Sequence, residues 1–306
     1  MRVQLGDSPV IMSTETADPS LAEIDRWPTQ RAIAAMIAGQ RQAIEAVASQ
    51  TEVLAAAAEA AAERLGDNGR IGYAGAGTSG RIGVQDGVEL TPTFGWPEAR
   101  LAFFLAGGET ALMHAVEGAE DDAEAGKAAV IEADFGPSDV LIGIAASGRT
   151  PYTVAAVAAA RARGSLTIGI ASNPDTPLLA AAEHAILLDS GSEAVAGSTR
   201  MKAGTAQKAA LNLLSTAIML RRGAVFRGLM VDMRITNDKL RQRGVRMVAQ
   251  ISGVDESAAA HALVQADDNV RLAVLLALGL SPGAAADILR QGPAAFARAV
   301  EARDRA

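Results

Sequence analysis

The chain has 306 residues, 49% of them apolar and 21% charged, enough for one large core with an appended bundle. Its 28 basic and 35 acidic residues give a net charge of −7, and no basic run or aromatic-rich stripe is present to neutralise a nucleic-acid backbone. The absence of cysteine excludes disulfides, thiolate metal sites and a cysteine nucleophile, a composition that suits a cytoplasmic protein.

The start, Met1-Arg-Val-Gln-Leu-Gly-Asp-Ser-Pro9, lacks the apolar segment of a secretory signal. The longest apolar stretches, such as Leu272 to Leu280, are about half of the ~20 residues a membrane crossing needs. Neither export nor a membrane partner is expected. Pro9, Pro19 and Pro28 interrupt residues 1 to 28, which read as an arm laid over something else. From Thr29 to about Leu65, Ala-rich text with apolar residues at helical spacing predicts one or two helices, ended by Asp67-Asn-Gly.

Five short apolar runs then alternate with helical text: Arg70 to Ala74, Leu101 to Ala106, Asp139 to Ala145, Thr167 to Ala171 and Ala185 to Leu188. Strands apolar on consecutive residues predict a parallel sheet covered on both faces, with ligands at the carboxyl ends of its strands. A short helix is expected to about Val88, with Thr91-Pro-Thr-Phe-Gly-Trp-Pro97 as a rigid connector. Further helices are expected over Ala111 to Glu117, from Glu120 to about Ala133, and from Tyr152 to Arg163. A long helix is expected from Gly197-Ser-Thr to about Arg222, capped by Ser198 or Thr199, and another from Asn237 to Ser252. The remainder, from Asp255, reads as a small helical bundle.

Two of the strands run into glycine loops that carry hydroxyls and precede helices: Gly75-Ala-Gly-Thr-Ser-Gly-Arg81 and Ala146-Ser-Gly-Arg-Thr-Pro151. Glycine lets the backbone approach an anion, and a helix N-terminus offers unpaired N–H groups and the positive end of its dipole. Gly77, Thr78 and Ser79 of the first loop and Ser147, Gly148, Arg149 and Thr150 of the second are therefore the candidate phosphate-binding residues of a phosphosugar pocket. Gly75, Gly77 and Gly80 also fit the dinucleotide fingerprint, but no acidic residue stands at a strand end about 20 residues further on. The remaining alternative is that both loops are only tight, capped turns.

A site without metal ligands must move protons with side chains. His114, His184 and His261 form no pair at metal spacing, and neither metal nor cofactor is expected. His114 stands three positions before Glu117, on one face of the expected helix. The candidate carboxylates are Glu89, Glu117, Glu120 and Glu193, with Ser198 and Lys202 as possible additional contacts.

The two loops, together with Ala115-Val-Glu-Gly-Ala-Glu-Asp121, Gly197-Ser-Thr-Arg-Met-Lys-Ala-Gly-Thr-Ala-Gln-Lys208 and Leu229-Met-Val-Asp232, closely resemble the N-acetylmuramic acid 6-phosphate etherases over residues 14 to 300. The resemblance implies a three-layer α/β sugar isomerase (SIS) domain with a parallel sheet, an N-terminal helical arm and a small C-terminal three-helix bundle like a ubiquitin-associated domain. The expected boundaries are 1–61 for the arm, 62–225 for the SIS domain, 226–252 for a connecting helix and 253–306 for the bundle. It also implies a cytoplasmic, metal-independent homodimeric lyase that releases D-lactate from its phosphosugar during peptidoglycan recycling, with Glu89 and Glu120 as the functional pair. Around the first glutamate this chain has Val88-Glu-Leu-Thr-Pro-Thr93 where the family has Ser-Glu-Cys-Pro-Pro-Thr, and Thr14-Glu15 lacks the Arg-Asn that follows it in the family. We read Glu89 as the acid at the leaving group and Glu120 as the base at C2. The rivals are an aldose–ketose isomerase with Glu193 as its base, and a sugar-phosphate-sensing regulator.

Overall fold

The computed structural model describes residues 13–304, so the reading of the first twelve residues lies outside the described part. The chain forms two compact units, Met1–Asp86 with Ala102–Leu214 and Gly87–Leu101 with Ser215–Ala306.

In the first unit, α1 (Thr29–Ala48) and α2 (Thr51–Leu65) precede β1 (Ile71–Gly75) and the start of α3 (Gly77–Phe94). Then come β2 (Leu101–Leu105), α4 (Thr110–Met113), α5 (Ala123–Glu132), β3 (Val140–Ile144), α6 (Pro151–Ala162), β4 (Leu166–Ala171), α7 (Pro177–Ala181), β5 (His184–Leu187) and the start of α8 (Lys202–Arg221). The five strands form one sheet in the order β2-β1-β3-β4-β5, with β1, β3, β4 and β5 parallel. Every residue of β1, β3 and β4 is buried, as their unbroken apolar sequences require of strands covered on both faces.

The two faces can be read from β3. A methyl group at Gly143 would lie 2.3 Å from Val157 of α6, whereas one at Gly83 of α3 would lie 2.9 Å from the Ile144 side chain. Neighbouring strand residues point to opposite faces, so α6 and α3 lie on opposite sides of the sheet. The α6 side is filled by Phe104, Phe135, Leu141, Val157 and Leu178.

Three sequence expectations are corrected. The short helix does not stop near Val88: α3 takes in the first part of the expected connector, leaving only Gly95-Trp-Pro97 as connector, and continues through Pro92 to Phe94. The ring withholds a single N–H near the helix end, where Val88, four residues earlier, is exposed. The helix expected over Ala111 to Glu117 ends at Met113, and His114 is extended (φ −125°, ψ 154°). Arg81 takes the carbonyls of Ala111 (2.9 Å), Leu112 (3.2 Å) and His114 (3.1 Å), and a run this short has little helical stability of its own. His114 and Glu117 therefore share no helical face. Finally, α8 begins at Lys202, and its first amides are capped by Glu193, not by Ser198 or Thr199.

In the second unit, α9 (Asp238–Ser252), α10 (Glu256–Gln265), α11 (Val270–Ala277), α12 (Pro282–Arg290) and α13 (Pro293–Asp304) follow one another. Residues beyond 253 thus hold the three expected helices and a fourth, α13. Asn237, Asp255, Asn269 and Ser281 each accept a backbone N–H at the helix start, which fixes where α9 to α12 begin. Their shared core includes Val248, Leu263, Val274, Leu275, Phe296 and Val300.

Candidate functional site

Both glycine loops leave the same end of adjacent strands, because β1 and β3 pair in parallel with Gly75 opposite Ile144. The chain leaves β1 for β2 on one side of it and then crosses from β2 to β3 on the other, which makes this the switch point where α/β sheets bind ligands. The two turns are built differently. In the first, a methyl group at Gly75 would lie 2.9 Å from Gly80 Cα and one at Gly80 would lie 2.3 Å from Leu105, so these two glycines serve the close crossing of α3 over β1. Gly77 has φ +52° and open space beside it, leaving the turn bare toward solvent. In the second loop Gly148 is buried at φ +65°, and a methyl group there would lie 2.4 Å from Thr176 Oγ1.

Between the loops lies a cavity of about 440 Å³, lined by Gly77, Thr78 and Ser79 from the first and by Ser147, Arg149 and Thr150 from the second. Six of the seven residues assigned to phosphate binding thus meet in one place. The seventh, Gly148, supports the loop from behind: its N–H donates to Ala145 O at 3.0 Å and its carbonyl accepts from Leu178 N at 3.0 Å. Ser79 is 8% exposed and its hydroxyl donates to Gln207 Oε1 of α8 at 3.0 Å, which fixes the side chain and spends its one proton within the protein, leaving Ser79 to line the cavity and offer its backbone.

The cavity is also lined by Glu120 and Asp121. Glu120 sits in a one-turn 3-10 segment, Ala119–Asp121, entered through Gly118 at φ +72°. Upstream, Arg81 ties down the 111–114 backbone. Downstream, Asp122 caps α5 by accepting Ala125 N at 2.9 Å. Helix α5 lies so close to α6 that a methyl group at Gly126 would stand 2.2 Å from Tyr152 O. That approach carries Glu120 to the second loop. Burial, and then the charge of Asp122, raise the Tyr152 phenol above its ordinary value, so it stays neutral near pH 7.

Other candidates lie elsewhere. Glu89 is exposed on the part of α3 that belongs to the second unit and is not among the residues lining the cavity. Ser198 is likewise absent from the lining, where its neighbour Thr199 stands instead. Glu193 is 1% exposed, and its carboxylate accepts Lys202 N at 2.9 Å and Ala203 N at 3.0 Å. Lys202 is 6% exposed and donates to Gln42 Oε1 and Ser192 O, both at 2.8 Å. Burial lowers its pKa from the usual lysine value, against the opposing charges of Glu193, Asp18 and Asp189. Both residues line a separate cavity of about 190 Å³ beside α1. Among the described residues no group of three or more His, Cys, Asp or Glu is arranged to hold a metal ion.

Three polar lining residues were not assigned to the site from sequence: Thr199, read only as a helix cap, Asp121 and Glu15. For Glu15 the available signal was the Thr14-Glu15 pair of the family motif.

Residues 52–161 match the glucokinase regulatory protein N-terminal SIS domain, and residues 120–217 match the SIS domain. A Deinococcus radiodurans protein named N-acetylmuramic acid 6-phosphate etherase is 49% identical over 288 residues, covering 94% of each chain. A protein of the same name from Symbiobacterium thermophilum is 49% identical over 256 residues, covering 84% of this chain and 85% of its own. Among solved structures, a Bacteroides fragilis protein named as a phosphosugar isomerase involved in capsule formation is similar in fold, with a TM-score of 0.51 and 19% identity over 68% of this chain and 98% of its own.

Proposed function

The chain belongs to the N-acetylmuramic acid 6-phosphate etherase family, and from that membership and the cavity between its two glycine loops we infer that it cleaves the D-lactyl ether of N-acetylmuramic acid 6-phosphate. It is a carbon–oxygen lyase of peptidoglycan recycling, giving N-acetylglucosamine 6-phosphate and D-lactate. The observation that carries this reading is the placing of Glu120 beside Thr78, Ser79, Ser147 and Thr150 in one cavity. The hydroxyls of Thr78, Ser147 and Thr150, the loop amides and Arg149 suit a phosphate dianion, and a carboxylate suits proton transfer on the sugar attached to it.

In the open-chain sugar the C2 proton is acidified by the C1 aldehyde. Glu120 removes it, the carbanion is delocalised into the carbonyl, and the C3–O bond breaks as Glu89 gives a proton to the departing lactate oxygen. Glu89 then takes a proton from the water that adds at C3, and C2 is reprotonated. Each positioned group contributes about 10²–10⁴-fold.

The enzyme acts in the cytoplasm as a homodimer on a small phosphosugar, without nucleic acid, and Glu89 reaches the cavity from the second protomer. Supporting the dimer, Val88 beside Glu89 is 48% exposed, Met113 and Val116 just before Glu120 are 84% and 40% exposed, and Ile33, Ile37 and Ile44 leave apolar surface on α1.

The test is product identity in heavy water. D-lactate release with deuterium at C2 of the product is expected. Interconversion of two hexose phosphates without lactate would replace this reading with the isomerase, for which Glu193 is poorly placed as a base because both its oxygens hold backbone amides.

A further inference from the structure

The reaction needs the aldehyde form of the sugar, and none of the groups assigned above opens the ring. Glu15 stands in the cavity on the side chain of a segment that is anchored in detail. Thr14, the residue before it, is fully buried. Its carbonyl accepts Gly197 N at 3.1 Å and its hydroxyl accepts Asn173 Nδ2 at 3.1 Å. The same Asn173 amide donates to Ala146 O at 2.9 Å, and Ser13 Oγ donates to Asn173 Oδ1 at 3.2 Å. The arm is thereby tied to both backbone segments that lead into the cavity, one to Ser147 and one to Thr199.

The room for the carboxylate is also built. Gly197 has φ +75°, and a methyl group there would lie 3.0 Å from Glu15 Oε2. Charge sets the direction of the ligand. A phosphate dianion is repelled by Glu15, Glu120 and Asp121 and held by the loop hydroxyls and Arg149, so the sugar end faces the carboxylates.

We propose that Glu15, delivered into the cavity by the Thr14–Asn173 latch, is the catalytic residue that opens the sugar ring. The proposal rests on the etherase reading and deepens it. The Glu15 carboxylate takes the proton of the C1 hydroxyl, and the O–H electron pair becomes the second C1–O bond. The C1–O5 bond breaks with its electron pair going to O5, and Glu15 passes the same proton to O5, which restores the carboxylate. No other reactant is consumed.

The experiment follows α/β anomer exchange of N-acetylglucosamine 6-phosphate by magnetisation-transfer NMR, with wild type, Glu15→Gln and Thr14→Val. Lactate release from the muramic acid substrate and calorimetric binding of the same hexosamine phosphate are measured in parallel. Wild type is expected to accelerate the exchange. Glu15→Gln should lose about a hundredfold or more of that acceleration while its affinity changes less than about threefold and its thermal midpoint is unchanged, since the side chain is exposed. Thr14→Val should lose part of the acceleration. No acceleration by wild type, full acceleration by Glu15→Gln, or loss of binding in parallel with acceleration would each overturn the proposal. If wild type releases lactate in those cases, the etherase reading stands without it; if wild type releases none, both fall.

Discussion

The Glu193 carboxylate caps α8 by accepting the backbone N–H of Lys202 at 2.9 Å, and it does so from a site 1% exposed to solvent. Its second oxygen takes Ala203 N at 3.0 Å, so the residue spends both oxygens on the helix end, where a negative charge also meets the positive dipole. Glu193→Ala leaves two buried amides without a partner and should cost about 2–5 kcal/mol of stability. Glu193→Gln keeps one acceptor and should cost less, about 1–2 kcal/mol. Urea unfolding read beside lactate release checks this. A Gln variant of native stability with no turnover would make Glu193 a catalytic group.

Gly77 and Gly148 both have positive φ, yet their substitution should separate binding from folding. Alanine at Gly148 adds backbone strain and a collision with Thr176, together about 2–4 kcal/mol. Alanine at Gly77 meets no atom within 4 Å and carries only the left-handed penalty, about 1–2 kcal/mol. Gly77 is one of the residues lining the cavity, so a methyl group added there alters the loop surface beside the ligand. Gly77→Ala should therefore weaken phosphosugar binding in a folded protein, while Gly148→Ala should lower the thermal midpoint first. Calorimetric titration beside thermal unfolding distinguishes them, and equal midpoints for the two variants would contradict the packing argument.

Stability at the other end of the sheet rests on Asp139. Its Oδ2 accepts Arg70 Nη2 at 2.7 Å and Gly136 N at 2.9 Å, and its Oδ1 accepts Arg70 N at 2.8 Å, joining the starts of β1 and β3. Burial raises its pKa, but the Arg70 side-chain bond, the two amides and the Arg70 charge outweigh that and leave it below the usual carboxylate value. A carboxyl lowered on folding adds stability above its unfolded value, ~3.9, and that stability is lost as pH falls through the lower folded value. Asp139→Asn should cost about 2 kcal/mol at pH 7, and the gap to wild type should narrow below about pH 4. Denaturant midpoints of both proteins across pH 3 to 7 measure it. A gap that stays constant down to the acid limit would remove the ion pair as its cause.

The strands and the glycine loops were legible because their causes are local. Consecutive apolar residues between turn signals give a strand buried on both faces, and Gly77 with Thr78 and Ser79 directly follows one. Residues that depend on long-range contacts were not. Glu15 lies far upstream of either loop in sequence and arrives only through the Thr14–Asn173 and Thr14–Gly197 bonds. The end of α4 at Met113 is set by Arg81, a side chain from another helix, which no reading of the Ala111 to Glu117 periodicity contains. Glu193 fits an isomerase base by its position before Gly197-Ser-Thr199, and only its two backbone partners reveal a cap.

Glu120 lines the cavity and Glu89 does not, and that difference makes the proposed dimer testable through function. Glu89→Ala and Glu120→Ala should each abolish lactate release while phosphosugar binding persists, because the loop donors are intact. In a two-fold dimer whose sites take Glu120 from one protomer and Glu89 from the other, a hybrid of the two variants contains one fully intact site and one doubly defective site. Half of the dimers in an equimolar, fully exchanged mixture are hybrids, so about a quarter of wild-type activity should return. Lactate release measured before and after mild denaturation and refolding of the mixed variants gives the answer. Activity that never rises above that of the separate variants, with exchange verified by mass-tagged protomers, would place both glutamates of a site on one chain.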